Sequence, residues 1–299
     1  MSAQKSILLT GGSGFIGKHI VEQLFSIYNI LAPKHSELDI LNAGEVRQYI
    51  KEHSVKSVIH AANIGGTRKN QDTPEVYEKN LQMFKNLSDL ENELDKIIFF
   101  GSGAEYDKSK PITRVKESDF GKNIPKDQYG LSKFECSKII STMRNCINLR
   151  CFGVYGIYED YDLRFISYAI LRALLNLPII IKQDVLFEYV YAKDLCLVVE
   201  YFLKHHPKEK FYNIGTNQPI LLSELAEIVK SVSNSQSQIL VLSSGLGKEY
   251  TCNSEKLLVE LKDFKFTPLK VAIKEMFDWY KANLGSLDLK ILKQNILFK

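Results

Sequence analysis

Tryptophan occurs once, methionine four times, cysteine five times and proline eight times in 299 residues. The cysteines are odd in number, stand far apart at Cys136, Cys146, Cys151, Cys196 and Cys252, and form no C-x-x-C pair. That pattern excludes a disulfide framework and the ligand spacing of a structural zinc site, so they read as reduced core residues, and no metal is expected. No apolar run approaches the ~20 residues that span a bilayer, and the apolar stretch before Thr10 is too short for a signal peptide. A soluble, cytoplasmic protein with no membrane insertion is the expectation. Charge of one sign is also scarce: 39 basic residues face 35 acidic ones, and the net charge of +4 is spread along the chain rather than gathered in a stripe. Nucleic acid is therefore not an expected partner. With 45% hydrophobic residues, the chain can bury one large core and a smaller one.

What is present comes in an ordered series. Apolar strand-like runs at 6–9, 29–32, 57–60, 96–101, 147–150 and 210–214 alternate with helical spacing at 38–55 and 73–94, the latter opened by Thr73-Pro74-Glu75. The alternation predicts an α/β fold with a Rossmann-type, doubly wound parallel sheet. Beyond Tyr155 the pattern changes to a helix over 161–177, a β-branched run at 179–181, an amphipathic helix over 222–232 capped by Ser223, and a loop at 231–238. These pieces predict a smaller C-terminal α/β substrate-binding lobe of residues 159–186 and 218–299, beside a nucleotide-binding domain of residues 1–158 and 187–217. The apolar, basic tail ending at Lys299 is expected to pack on the protein's own surface or to be disordered.

Three motifs carry chemistry. Thr10-Gly-Gly-Ser-Gly-Phe-Ile-Gly17 follows an apolar strand and opens a segment, 18–27, of helical spacing. Strand, glycine turn and helix are the context of a dinucleotide phosphate loop. Gly11 permits the turn, Gly14 admits a pyrophosphate, and Gly17 lets the helix pack, while Ser13, Phe15 and Ile16 complete a helix start whose N–H groups face anions. An ordinary glycine turn is the plainer alternative, and the flanking elements weigh against it. The second motif ends the strand Ile97-Ile-Phe-Phe-Gly-Ser102, putting the Ser102 hydroxyl, with Gly103 and Ala104 beside it, where open α/β sheets bind ligands. By itself it reads more readily as a turn serine between glycines. The third is Tyr129 and Lys133, whose spacing on a helix sets them roughly 5–6 Å apart at Cβ. An ammonium there predicts a Tyr129 pKa lowered from ~10 towards neutrality, as in an acid–base catalyst, whereas a solvated helix face is the bland alternative.

Further motifs follow in order: His60-Ala61-Ala62, expected to close a fourth strand; Asn80 in the next helix; Arg150 to Gly156; Glu188 to Asp194; and Tyr212 to Thr216. Together with the first three, they resemble the extended short-chain dehydrogenase/reductase superfamily, the nucleotide-sugar epimerases, dehydratases and ketoreductases. The resemblance implies a triad in which Tyr129 is the general acid or base at the carbonyl oxygen. Lys133 lowers its pKa and holds the nicotinamide ribose, and Ser102 polarises the same oxygen. It also implies cofactor contacts from Ala61, Ala62 and Asn80. A homodimer pairing helices 73–94 and 128–145 is implied too, with Met83, Phe84, Ile139, Ile140 and Met143 as the apolar surface.

Cofactor choice turns on the end of the second strand, where no acidic residue stands. Lys34 and His35 lie where a 2′-phosphate would sit, which favours NADP(H); Glu37 binding the ribose of NAD(H) is the alternative. The stretch Glu37-Leu-Asp-Ile40 resembles the NADP-dependent fucose-nucleotide synthases, which implies Asp39 and Ile40 beside the adenine. Those synthases epimerise with a cysteine and a histidine, and the matching positions here are Ala104 and Arg164, so the resemblance implies reduction without epimerisation. Gly103-Ala104 also replaces the Asp-Glu pair of the dehydratases. Phe187 precedes Glu188 where the family usually has an arginine for the substrate diphosphate, leaving Arg164, Arg172 and Lys182 as candidates. The expectation is an NADPH-dependent 4-ketoreductase acting on a nucleoside-diphosphate-4-keto-6-deoxyhexose. A 4-epimerase with bound NAD and a catalytically silent NADP-sensing protein are the alternatives.

Overall fold

The computed structural model describes residues 6–66 and 72–293, so the last residues of the tail and the expectation attached to them lie outside it. Six strands form one parallel sheet: β1 (Ser6–Thr10), β2 (Asn29–Leu31), β3 (Val55–His60), β4 (Lys96–Ser102), β6 (Cys146–Cys151) and β11 (Phe211–Ile214), in the order β11-β6-β4-β3-β1-β2. Every residue of β1 and of β6 is buried. Burial on both faces is why β1 is mostly apolar rather than alternating, while in β6 the buried Asn148 and Arg150 donate to Glu105.

Helices cover both faces. On one, α1 (Phe15–Leu24) and α6 (Ala192–Lys204) pack Ile20, Leu24, Val199 and Phe202 onto Ile7 and Leu9. On the other, α2 (Ala43–Glu52), α3 (Pro74–Ser88) and α4 (Gln128–Thr142) pack Val46, Phe84, Leu87 and Ile140 onto Leu8 and Val58. The alternation of Ile7, Leu8 and Leu9 between the two cores follows from the period of two along a strand. Met83, Phe84, Ile140 and Met143 are all buried within the chain, at 5%, 0%, 0% and 3% exposure. They therefore offer a second copy nothing to bury, and the apolar argument for a homodimer keeps only Ile139, which is partly buried.

Several predicted ends move for local reasons. α2 begins at Ala43 rather than at 38 because the Asn42 side chain accepts from the N–H groups of Gly44 and Glu45. His60 closes the third strand, not the fourth, since among the described residues no strand lies between β2 and β3. α3 stops at Ser88 and gives way to a 3-10 turn at Glu91–Glu93.

The second lobe is built on α5 (Phe165–Leu174), α7 (Leu222–Ser233) and α9 (Leu269–Asn283), which share a core of Ile170, Leu225, Ile273 and Met276. The short α10 (Lys290–Lys293) places Leu292 in that core. α5 is shorter than its predicted 161–177, ending before Pro178. Ser223 does not cap α7; Leu221 occupies that position, and the Ser223 hydroxyl donates to Asp184. The loop predicted from 231 begins at Asn234, in the left-handed region.

Four strands, β5 (Ile112–Val115), β9 (Leu186–Phe187), β12 (Ile220–Leu221) and β14 (Tyr250–Cys252), form a small sheet beside the large one. β7 (Gly153–Tyr155) pairs with β10 (Tyr189–Tyr191), and β8 (Ile179–Asp184) with β13 (Ile239–Leu246). α8 (Glu255–Leu261) then returns to the large sheet, where Leu257 and Leu261 join the core around Tyr212.

Candidate active site

The glycine loop links β1 to α1. Gly11 has φ +73°, and a side chain there would press within 2.6 Å of the Ala62 backbone. A Cβ on Gly17 would collide with the Gly11 carbonyl. These two positions therefore need glycine for conformation and for close packing respectively. Gly14 is different: it is exposed, and a Cβ there would meet only the Gly11 carbonyl, at 3.2 Å. The space before the helix is a cradle, with exposed Ser13 beside it, Phe15 and Ile16 in the first turn, and no acidic residue in that turn. Free N–H groups with no competing carboxylate fit a pyrophosphate. Across the loop, the Ala61 N–H donates to the Thr10 carbonyl and the Ala62 N–H to the Thr10 hydroxyl. Asn80 uses both ends of its amide on the backbone of Ile64, at 2.8 Å each, so it staples this segment in place.

After β2, Lys34 and His35 are exposed. Glu37 accepts from the Lys34 backbone N–H at 2.7 Å, and His35 lies 3.8 Å from Asp39. The Asp39 carboxylate also accepts from the Leu41 N–H, and the Ile40 carbonyl accepts from Asn86. Glu37 is therefore engaged in its own turn while the Lys34 side chain stays open to solvent.

Ser102 ends β4 at the carboxyl edge of the sheet, between Gly101 and Gly103, and its hydroxyl accepts from the Ala104 N–H at 3.1 Å. Asp127 caps α4 through the Gly130 N–H, setting Tyr129 in the first turn with its phenol close to Ser102. Lys133 follows one turn later, with its ammonium 5.8 Å from the Tyr129 ring centroid, 4.6 Å from that of Phe99, and donating to the Phe100 carbonyl at 2.8 Å.

This geometry reverses the predicted Tyr129 shift. Burial pushes the phenol up to about 12, and the Ser102 hydrogen bond and the positive charge of Arg164 only partly offset it, against the opposing influence of Cys151 and Glu105. The ammonium expected to lower it is turned to a backbone carbonyl. Burial lowers the Lys133 pKa in turn. His60, fully buried and hydrogen-bonded to Thr10, is pushed down to about 3 by burial and by Lys133, and so stays neutral.

Four residues near the triad were not singled out in the sequence. Gly66, at φ +70°, lies so near the Tyr129 ring that a Cβ would come within 2.9 Å of it. Lys108 sits 5.4 Å from the same ring, paired with Asp127. Glu105, completely buried, accepts from Arg150 Nε at 2.6 Å and from Ser137, while its other oxygen accepts from the Ser102 N–H. The spacing Ser102-x-x-Glu105 is that of a capping box and was available as a signal. Tyr250, whose hydroxyl also lies close to Ser102, comes from the far lobe and carries no local signal.

The expected substrate residues are not gathered equally. Gly103 and Ala104 are buried beside Ser102, and exposed Arg164 at the start of α5 is near enough to act on both Tyr129 and Tyr250. Lys182 lies exposed on β8 in the smaller lobe. Arg172 is a correction: it is 1% exposed and donates to the carbonyls of Pro178 and Leu292, so it is a structural residue. Glu188 is fully buried and accepts from the Thr216 N–H and hydroxyl, holding a turn rather than facing a cleft.

The chain is similar to known proteins over most of its length. The GDP-L-colitose synthase of Yersinia pseudotuberculosis is 24% identical over 251 residues, covering 76% of this chain and 81% of its own. The dTDP-4-dehydro-6-deoxyglucose reductase of Escherichia coli is 27% identical over 303 residues, covering 88% and 91%. Among solved structures, the GDP-mannoheptose C4 reductase of Campylobacter jejuni with NADP bound shares the fold, with a TM-score of 0.78 at 22% identity, covering 94% of this chain and 99% of that one. Residues 7–215, from β1 past the last strand of the large sheet, match the pattern of one family, and the chain belongs to it: the NAD dependent epimerase/dehydratase family.

Proposed function

We propose that the chain is an NADPH-dependent reductase of the 4-keto group of a nucleoside-diphosphate-4-keto-6-deoxyhexose. The observation that carries this is the pair of neighbouring hydroxyls, Ser102 and Tyr129, at the carboxyl edge of the sheet, beside Ala104, which has no proton to exchange. Relatives named as a colitose synthase and a deoxyglucose reductase support the substrate class. NADPH, when bound, supplies the hydride. The loop at Gly11, Ser13, Gly14 and Gly17 would hold its pyrophosphate, Lys34 and His35 its 2′-phosphate, and Lys133 its ribose. Asp39, Ile40, Ala61 and Ala62 would line its adenine and ribose path.

Tyr129 then delivers its phenolic proton to the carbonyl oxygen as the carbon is reduced. A phenol held near 12 is protonated at neutral pH, the form this step needs. Ser102 donates a hydrogen bond to the same oxygen and so favours the charge that develops there. Arg164 and Lys182 are the cations for the diphosphate. Incubation with a GDP- or dTDP-linked 4-keto-6-deoxyhexose, following NADPH absorbance and the sugar product together, tests the proposal. Stoichiometric loss of NADPH is expected. Sugar interconversion without net loss would identify an epimerase, and no turnover on either nucleotide would sink the proposal.

A further inference from the structure

Tyr250 belongs to β14 in the small sheet, yet its phenol reaches the triad. The hydroxyl lies close to Ser102, and a methyl group on Gly103 would collide with its oxygen. The ring is held on two sides, stacked on Phe187 at 5.0 Å with 29° between planes and tilted against Phe152 at 4.9 Å. The backbone is fixed as well: Tyr250 pairs with Ile112 and with Phe187, and its carbonyl accepts from the Glu188 N–H at 3.0 Å. Phe187 is the residue that stands where an arginine was expected. Its ring forms one wall of the slot that aims Tyr250.

A serine hydroxyl has one proton and two lone pairs. The Ala104 N–H occupies one lone pair of Ser102. We propose that the Tyr250 hydroxyl occupies the other, so that the only proton of Ser102 is directed at Tyr129 and, during turnover, at the oxygen Tyr129 protonates. Tyr250 is thus a positioning residue. It transfers no proton; it fixes the rotor of the hydroxyl that polarises the carbonyl. Because hydrogen bonds in a chain polarise one another, accepting from Tyr250 also makes Ser102 a stronger donor. The kinetic part of this inference rests on the ketoreductase proposal, whereas the proposed hydrogen-bond chain needs no substrate and can be read in the free protein.

The test is a double-mutant cycle of Tyr250→Phe and Ser102→Ala in the full chain, read in two ways. Tyr250→Phe keeps the ring in its slot and removes only the hydroxyl. With the keto sugar, it is expected to lower kcat about tenfold, the size of one hydrogen bond, with KM and the thermal midpoint unchanged. In the Ser102→Ala background, it is expected to do nothing further. In the free protein at neutral pH, with tyrosine labelled at the ring carbon that bears oxygen, the Tyr129 resonance, assigned through Tyr129→Phe, is expected to shift on Tyr250→Phe only when Ser102 is present. Equal effects with and without Ser102, or no shift at all, overturn the role of Tyr250. A wild-type protein with no turnover overturns the ketoreductase proposal alone, since the resonance still decides this one.

Discussion

A phenol that stays protonated to about 12 is a proton donor at neutral pH, so in the proposed reaction Tyr129 runs from acid to phenolate and needs stabilisation only after the proton has left. Tyr129→Phe keeps the ring beneath Gly66 and removes that proton. Turnover is expected to fall by at least ~10²-fold while circular dichroism stays native; a variant retaining near-parental rates would remove Tyr129 from the mechanism. The proposed cofactor preference likewise rests on single side chains. Lys34 and His35 are exposed, with Glu37 occupied by the Lys34 backbone, so a Lys34→Ala, His35→Ala double variant is expected to narrow the NADPH:NADH ratio of kcat/KM by about tenfold, through NADPH alone. Equal losses with both cofactors would signal a folding defect, and a parent that prefers NADH would move Glu37 into the ribose role. At this scale, the spacing of Tyr129 and Lys133 was legible because helix geometry fixes it. The direction of the ammonium was not, because the Phe100 carbonyl that captures it lies on another element.

Elements were legible where physics is local and repetitive. A strand buried on both faces is mostly apolar, as β1 is, and the glycine loop must combine a positive φ at Gly11 with close packing at Gly17, so both leave a mark in the residue order. Helix ends were less legible, since a cap such as Asn42 competes with apolar spacing that continues past it. The buried ion pair was hidden too. β6 reads as an apolar strand that ends in an arginine, and only the fold brings Arg150 to Glu105, at 1% and 0% exposure. Removing one partner leaves the other charge buried and unpaired, so Glu105→Gln is expected to cost about 3–5 kcal/mol in urea unfolding. It should also reduce turnover, because the same carboxylate accepts from the Ser102 N–H. A loss below ~1 kcal/mol would mean that Ser137, Asn148 and Tyr106 hold the network without the charge.

For the molecule as a whole, two buried groups set opposite responses to pH. Glu159, 5% exposed and hydrogen-bonded to Ser167, is raised by burial to about 7. The folded chain thus keeps a proton that the unfolded chain releases, and stability falls as pH rises from the ordinary carboxylate range through 7, by at most roughly 3 kcal/mol. His60, lowered to about 3, refuses a proton that the unfolded chain accepts, so its contribution falls as pH drops below 6.5. Glu159→Gln removes only the first effect. Its thermal midpoint relative to the parent is expected to be higher at pH 8 than at pH 5, and a difference independent of pH would contradict the assignment. The alternation of strands and helices announced the large sheet, but the small one is assembled from segments of two to four residues that no periodicity marks. β5 leaves the nucleotide side of the chain to join β14 and β9, while Leu257 and Leu261 of α8 return from the far end to the core around Tyr212. This interleaving bears on heredity. A recombination event with one junction would separate partners on both sides of the cut, so the smaller lobe is not a cassette that one crossover could exchange.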